Sequence, residues 1–224
     1  MDFGTEDIIF LPNTHTYFYK PTSTYFNSVT SLVSKYVPRF ETEKIAIWHA
    51  KKTGRDPIEI ITEWDNKREE AIQYGRKIHQ YIENKLKKKE DKTVTPLPFL
   101  DSFLEDKMKL DEVYSEQIIY DENYKIAGTV DCLIRIGNKW YLYEWKTGKK
   151  FRNVGIEKMK DPLKNITFCE LNRYSLQVLI YKEILKKYGL DVKPIIAHIN
   201  CNKVVEYEPL DFSKEVKMIL ESNK

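Results

Sequence analysis

The sequence predicts a mixed α/β fold, α+β in its ordering, in which helices come first and are followed by three strands, a helix and a further strand on a central mixed sheet. Three observations lead there. Ile126 to Ile136 and Lys139 to Lys146 are β-branched and aromatic runs separated by Gly137-Asn138, a pair that closes tight hairpins. From about Asn66 to Lys88, Ala71, Tyr74, Ile78, Ile82 and Leu86 recur at helical spacing and predict a buried stripe. Leu171 to Tyr188 reads as a helix ended by Gly189, and Ile195 to Asn200 as a strand that follows it in parallel.

Taken in order, Ile8 to Phe10 and Thr16 to Tyr19 flank Pro12-Asn13 as an N-terminal hairpin. Ser28 then caps a short helix through Lys35. Its hydroxyl, that of Thr30 and the free amides of a helix start suit a phosphate, and ordinary capping accounts for the same residues. Glu41 to Lys52 reads as a helix, and Asp56-Pro57 starts the next, with Asp as cap and Pro at the first position. Lys85 to Lys92 is a charge run that forms a loop tip, and Phe99 to Leu110 is an amphipathic helix. Val113 to Asp121 feeds the central hairpin, with Glu116 in its middle. Val204 to Glu208 returns against Ile195 to Asn200, and a last helix starts near Asp211. The expected organisation is a single domain over 1–224, with an N-terminal hairpin and helical region at 1–110 and a core at 111–224.

A chain of 224 residues with a formal net charge of +3 has room for a sizeable core, and its charge does not by itself call for nucleic acid. The distribution is uneven: seven Lys or Arg face two acids between Lys146 and Lys164. A phosphate backbone would run there, and a solvated loop reads the same way. Cys132, Cys169 and Cys201 are far apart and fit no zinc or disulfide framework, so free thiols in a reducing compartment are expected. With no leader pattern and no apolar run of spanning length, the expectation is a soluble intracellular protein without a membrane partner.

The hairpin carries the chemistry. If Ile136 faces Lys139 and no bulge intervenes, Asp131 falls opposite Glu144 and Thr129 opposite Lys146. Period two puts Glu144 and Lys146 on one face, Tyr143 and Trp145 on the other. Opposed carboxylates repel, so such a pair has a cation or a proton to hold. A solvated hairpin with Lys146 neutralising both acids is the plainer reading. The apolar flanks argue for a central, buried hairpin, where charge needs a partner; oxygen-ligated Mg²⁺ or Mn²⁺ is the natural one.

Gly128-Thr129-Val130-Asp131 and Glu144-Trp145-Lys146-Thr147-Gly148-Lys149 resemble the G-T-x-D and D/E-x-K-T-G-K signature of the PD-(D/E)xK nuclease superfamily, in its RecB-like exonuclease branch. Gly75 to His79 matches an upstream G-x-x-x-H, Gln177 to Tyr181 a downstream Q-x-x-x-Y, Ser28-Val29-Thr30 an S-V-T element, and Glu116 a glutamate on the preceding strand. Most of the chain is covered, and compact stand-alone exonucleases of phages, viruses and mitochondrial genome maintenance are the nearest in kind. Val130 departs from the proline of the superfamily name.

The resemblance implies a restriction-endonuclease-like α-β-β-β-α-β core. It implies a divalent ion on His79, Asp131, Glu144 and the Trp145 carbonyl, with Mg²⁺ or Mn²⁺ as cofactor. Lys146 would orient the attacking water or stabilise the phosphate, with Asp131 and Glu144 as the other catalytic groups and Glu116 in support. Gly75 would allow another backbone to approach, and Glu83 would hold the second imidazole nitrogen of His79, itself otherwise an ordinary packed or surface histidine. Gln177, Tyr181, Ser28, Thr30 and Lys149 would touch substrate, whereas on helical spacing alone Tyr181 is core and Gln177 its polar border. Three cysteines cannot supply the iron–sulfur cluster found in some relatives. The implied activity is exonucleolytic hydrolysis of single-stranded DNA, with replication or recombination proteins as partners. A structure-directed endonuclease and a non-catalytic nucleic-acid-binding protein stay as alternatives. Polarity and oligomeric state are open, and the lack of a G-x-x-x-x-G-K-[ST] loop excludes a helicase–nuclease.

Overall fold

Eight strands join one mixed sheet in the computed structural model, which describes residues 1–89, 95–107 and 111–224. β1 (Ile8–Leu11), β2 (Thr16–Tyr19) and β3 (Thr24–Ser28) form an antiparallel meander at one end. β4 (Glu112–Asp121) runs antiparallel along β5 (Ile126–Ile136), and β6 (Lys139–Thr147) returns from β5 through the Gly137-Asn138 turn. β7 (Val192–Ile199) lies parallel to β6, and β8 (Val204–Tyr207) pairs antiparallel with β7. The expected strand order is met, and β3 is an addition that the short Tyr-Phe-Asn run did not announce.

Helices cover both faces. On one, α1 (Val29–Ser34), α5 (Glu170–Lys187) and α6 (Ser213–Glu221) bring Leu32, Leu176, Ile180 and Ile219 onto Val130, Leu133, Leu142 and Ile196. On the other, the end of α3 (Pro57–Leu86) and α4 (Pro98–Lys107) bring Ile78, Ile82, Leu86 and Leu100 onto Cys132, Ile134, Tyr143 and Trp145. The last part of the expected Phe99 to Leu110 helix, and of the Lys85 to Lys92 loop tip, lies outside the described residues.

α3 is a single helix of 30 residues, about 45 Å long at 1.5 Å per residue, started by Asp56, whose carboxylate accepts from the Ile58 amide at 2.7 Å. Only its C-terminal part, from Gly75 onward, meets the sheet. Ala71 and Tyr74, expected in the buried stripe, are exposed, because the helix runs past the sheet and its first part packs instead on α2 (Thr42–Thr53) through Ala46, Ala50 and Ile60.

The register explains where a site forms. β4 occupies one edge of β5 along its whole length, so β3 and β6 must share the other. β3 takes Ile126 and Ala127, β6 takes Cys132 to Ile136, and Gly128 to Asp131 are left between them without a ladder partner on that edge. The side-chain alternation slips at the same point: Val130 packs in the α5-side core and Cys132, two residues on, in the α3-side core. Opposite Asp131 the β4 ladder skips Glu116, whose φ of 51° is in the left-handed region that non-glycine residues seldom adopt. The predicted turn register is met from Ile136–Lys139 to Cys132–Tyr143. The expected Asp131–Glu144 and Thr129–Lys146 ladder pairs are not made, because β6 leaves β5 there to follow β7.

Candidate active site

The gap on the β5 edge gathers charge from both faces of the sheet. Trp145 N–H donates to Asp131 Oδ2 at 2.7 Å, replacing the missing ladder bond and fixing the carboxylate. Asp131 Oδ1 then lies 3.5 Å from His79 Nδ1, and Glu116 Oε1 lies 3.8 Å from the same nitrogen. His79 reaches the gap because it is one residue past Ile78 on the part of α3 that packs on the sheet. One atom each of His79, Glu116 and Asp131 falls within 4.8 Å of the others, a spacing suited to one cation. Glu116, expected only in support, is thus a full member of this group.

Glu144 comes from the α5 side and is 2 % exposed. Lys146 Nζ and Gln177 Nε2 both donate to its Oε1 at 2.6 Å, and Gln177 Nε2 lies 3.1 Å from the Tyr181 hydroxyl. Lys146 also stands 4.7 Å over the Tyr174 ring, a cation–π contact. Glu144 and Lys146 share a face as period two requires. Glu144 Oε2 is buried with no hydrogen-bond partner among the described residues. A buried carboxylate oxygen without a donor is costly, and a metal ion bound beside it would satisfy it.

Electrostatics follow from burial against mutual attraction. Burial alone would lower the His79 imidazole, but Asp131 and Glu116 outweigh it and raise its pKa to about 9. Burial pushes the carboxyls of Asp131 and Glu144 up, with His79 and Lys146 pulling them back. For Lys146 burial works against the charge, yet Glu144 and Asp131 hold the ammonium above the ordinary lysine value. The site therefore keeps a half-buried cation and carries acids that bind either a proton or a metal.

Other expected residues fall into two groups. Gln177 and Tyr181 are at the site, and Gly128 explains why: a Cβ there would collide with the Tyr181 ring. Gly75 lets α3 approach β6, since a Cβ on it would stand 3.1 Å from Thr147 Oγ1. Glu83 does not hold the imidazole as expected; it takes Lys87 at 2.6 Å, its neighbour one helical turn on, and Gln80 at 3.3 Å. Ser28 is a buried cap whose Oγ accepts from the Ser31 amide at 3.0 Å and lies 3.0 Å from His15 Nδ1. Thr30 is half-buried on the six-residue α1, and Lys149 is exposed. Tyr17 was not foreseen. Its hydroxyl lies 3.0 Å from Thr129 Oγ1, and burial pushes its pKa up to about 12. No local pattern could have marked a tyrosine so distant in the chain.

No protein-family model matches the chain, and no curated protein sequence does. Among solved structures it is similar to the protein SSO0001, at 19% identity and a TM-score of 0.40, over 88% of this chain and 73% of that one. It is also similar to a Eubacterium rectale protein named "Putative exonuclease", at 16% identity and a TM-score of 0.46, over 68% of this chain and 64% of that one. No helix among the described residues is long and apolar enough to cross a membrane.

Proposed function

We propose that the chain is a divalent-metal-dependent deoxyribonuclease of the PD-(D/E)xK kind that hydrolyses phosphodiester bonds from the ends of single-stranded DNA, in replication, repair or recombination. The observation that carries this reading is the gap on the β5 edge, where Asp131, Glu116 and His79 gather next to the Glu144–Lys146 pair, whose buried carboxylate has one oxygen still open. His79, Glu116, Asp131 and Glu144 would hold the ion, with the Trp145 carbonyl added on the resemblance. A bound Mg²⁺ or Mn²⁺ supplies charge for the phosphoryl oxygens and a more acidic water.

The chain's own groups do the rest. Trp145 N–H orients Asp131, and Gln177 and Lys146 orient Glu144 through the same oxygen. The Lys146 ammonium is short of water and fixed between Glu144 and the Tyr174 ring, so it can meet charge growing on a phosphate without first reorganising. Gln177 and Tyr181 are buried and back Glu144 from α5, and Lys149 follows the site on an exposed loop; Ser28 and Thr30 flank the meander side.

End-labelled linear and closed circular single strands, with duplex controls, test the reading in Mg²⁺, in Mn²⁺ and in chelator. Loss of nucleotides from linear single strands only with metal is the expected result. Fast cutting of the closed circle replaces the exonuclease with an endonuclease. Cleavage in chelator, or none with either metal, overturns the reading.

A further inference from the structure

The exposed middle of α3 borders two hollows that meet at one point. The first, about 710 Å³, is lined by His79, Glu116, Arg76 and Thr147 and is the mouth of the site. The second, about 470 Å³, lies beyond the Gly75–Thr147 contact, between Tyr74 and Lys67 of α3 and Thr147, Lys149 and Cys201. Ala71 and Thr147 line both, so the two form one groove with a saddle where Gly75 lets helix and strand approach.

We propose that the second hollow receives the unpaired nucleotide next to the scissile phosphate, with its base on the Tyr74 ring and its phosphate at Lys149. This rests on the nuclease reading and adds the course of the strand. Charge supports it: Arg76 and Lys149, on either side of the saddle, have no ion-pair partner among the described residues and outnumber Glu70, the acid that lines the second hollow, while the nearby Lys67 and Arg68 are taken up by Glu63 and Asp65. Two uncommitted cations flanking a groove suit a polyanion that runs along it. Tyr74 supports it too. It breaks the buried stripe, stands 39% exposed in the groove, and presents a ring where no core needs one. A base offers a face to an aromatic ring only when unpaired, so the occupant is a single strand. The volume of the hollow lies within the roughly 300–1,000 Å³ typical of small-ligand pockets, room for one nucleotide.

Cys201 makes the idea testable without activity, since it is exposed in the hollow whereas Cys132 and Cys169 are buried. Alkylation by iodoacetamide is followed in chelator, where the strand stays intact, with and without saturating oligo-dT whose binding is read by fluorescence anisotropy. The single strand should slow Cys201 alkylation about tenfold or more, and a duplex of the same length should not. Tyr74→Ala should weaken oligo-dT binding about fivefold or more, read by the same anisotropy in chelator. Lys149→Ala should lower the slope of log affinity against log salt by about 0.7. A bound strand that leaves Cys201 reacting at its free rate, or a duplex that protects it equally, overturns the proposal even if linear strands are hydrolysed. A chain that neither binds nor cuts any strand overturns the nuclease reading first, and this one with it.

Discussion

The two faces of the sheet meet the same gap in different ways. On the α5 side, Glu144, Lys146, Gln177 and Tyr181 form a packed polar network beneath an apolar layer. On the α3 side, His79 and Glu116 stand at the mouth of an open groove, with side chains 29% and 37% exposed. Buried polar groups hold one arrangement because any other leaves a group unsatisfied; exposed ones can exchange partners with solvent and ligand. The difference separates the work: the closed side presets charge and geometry, and the open side admits what reacts.

The largest effect should come from the closed side. Lys146→Ala removes the preset cation without touching His79, Glu116 or Asp131, so single-turnover cleavage should fall by about 10²-fold or more. Stabilisation by Mn²⁺ in a thermal melt should persist, since a ligand that binds the folded state raises its melting temperature. Asp131→Asn should lose both. A lysine variant that cleaves at the wild-type rate under single turnover would leave Lys146 as a neutralising partner only.

Next in size is Gly128→Ala, a test of how rigid the closed side is. The added Cβ meets the ring of Tyr181, which is itself buried, so neither can yield without disturbing Gln177. Overpacking of this kind costs about 1–3 kcal/mol, read as a shift of the urea midpoint. Tyr181→Leu alone should cost stability, yet combined with Gly128→Ala it should recover part of the loss, a coupling that a double-mutant cycle measures. Strict additivity would show that the two do not compete for the same space.

Much of this contrast could be read from the residues, and the parts that could not share a cause. Gly137-Asn138 set the hairpin register, and period two put Glu144 with Lys146, since both are local rules. The opposition of Asp131 and Glu144 failed because the strands part where β5 exchanges β6 for β3, and the Tyr-Phe-Asn run of β3 carries no local mark of that exchange. Glu116 gained its place through a backbone conformation that its residue type does not advertise. Tyr17 reached Thr129 only through the meander. Helical spacing correctly made α3 a helix but put Ala71 and Tyr74 in its buried stripe, because periodicity gives a face and not what lies against it.

A smaller effect should appear in the pH dependence of the metal-free protein. The folded His79 is raised from the ordinary 6.5 to about 9 by Asp131 and Glu116 against burial, so its contribution to stability is complete below 6.5 and is lost as pH rises through about 9. The raised carboxyls of Asp131 and Glu144 act with the same sign, favouring the protonated, low-pH side. In chelator the melting temperature should therefore fall between those two pH values, and less steeply in His79→Gln. An identical slope in the variant would mean that the imidazole titrates without feeling its acidic neighbours.

The smallest effect is expected on the open side, at Gly75→Ala. Alanine in the interior of a helix is favoured over glycine by about 1 kcal/mol. Against that stands the new Cβ, 3.1 Å from Thr147 Oγ1, a contact tight enough to require a small shift of a half-buried side chain. The two terms oppose each other, so the urea midpoint should barely move, in contrast to Gly128→Ala. Function should be affected more than stability, because the shift falls on Thr147, directly after Lys146 and at the saddle where the two hollows join. Cleavage of a linear single strand should slow several-fold while the fold is as stable as before. A loss of stability as large as that of Gly128→Ala would show that the α3 side is packed as firmly as the α5 side, and the division between a preset face and an admitting one would not stand.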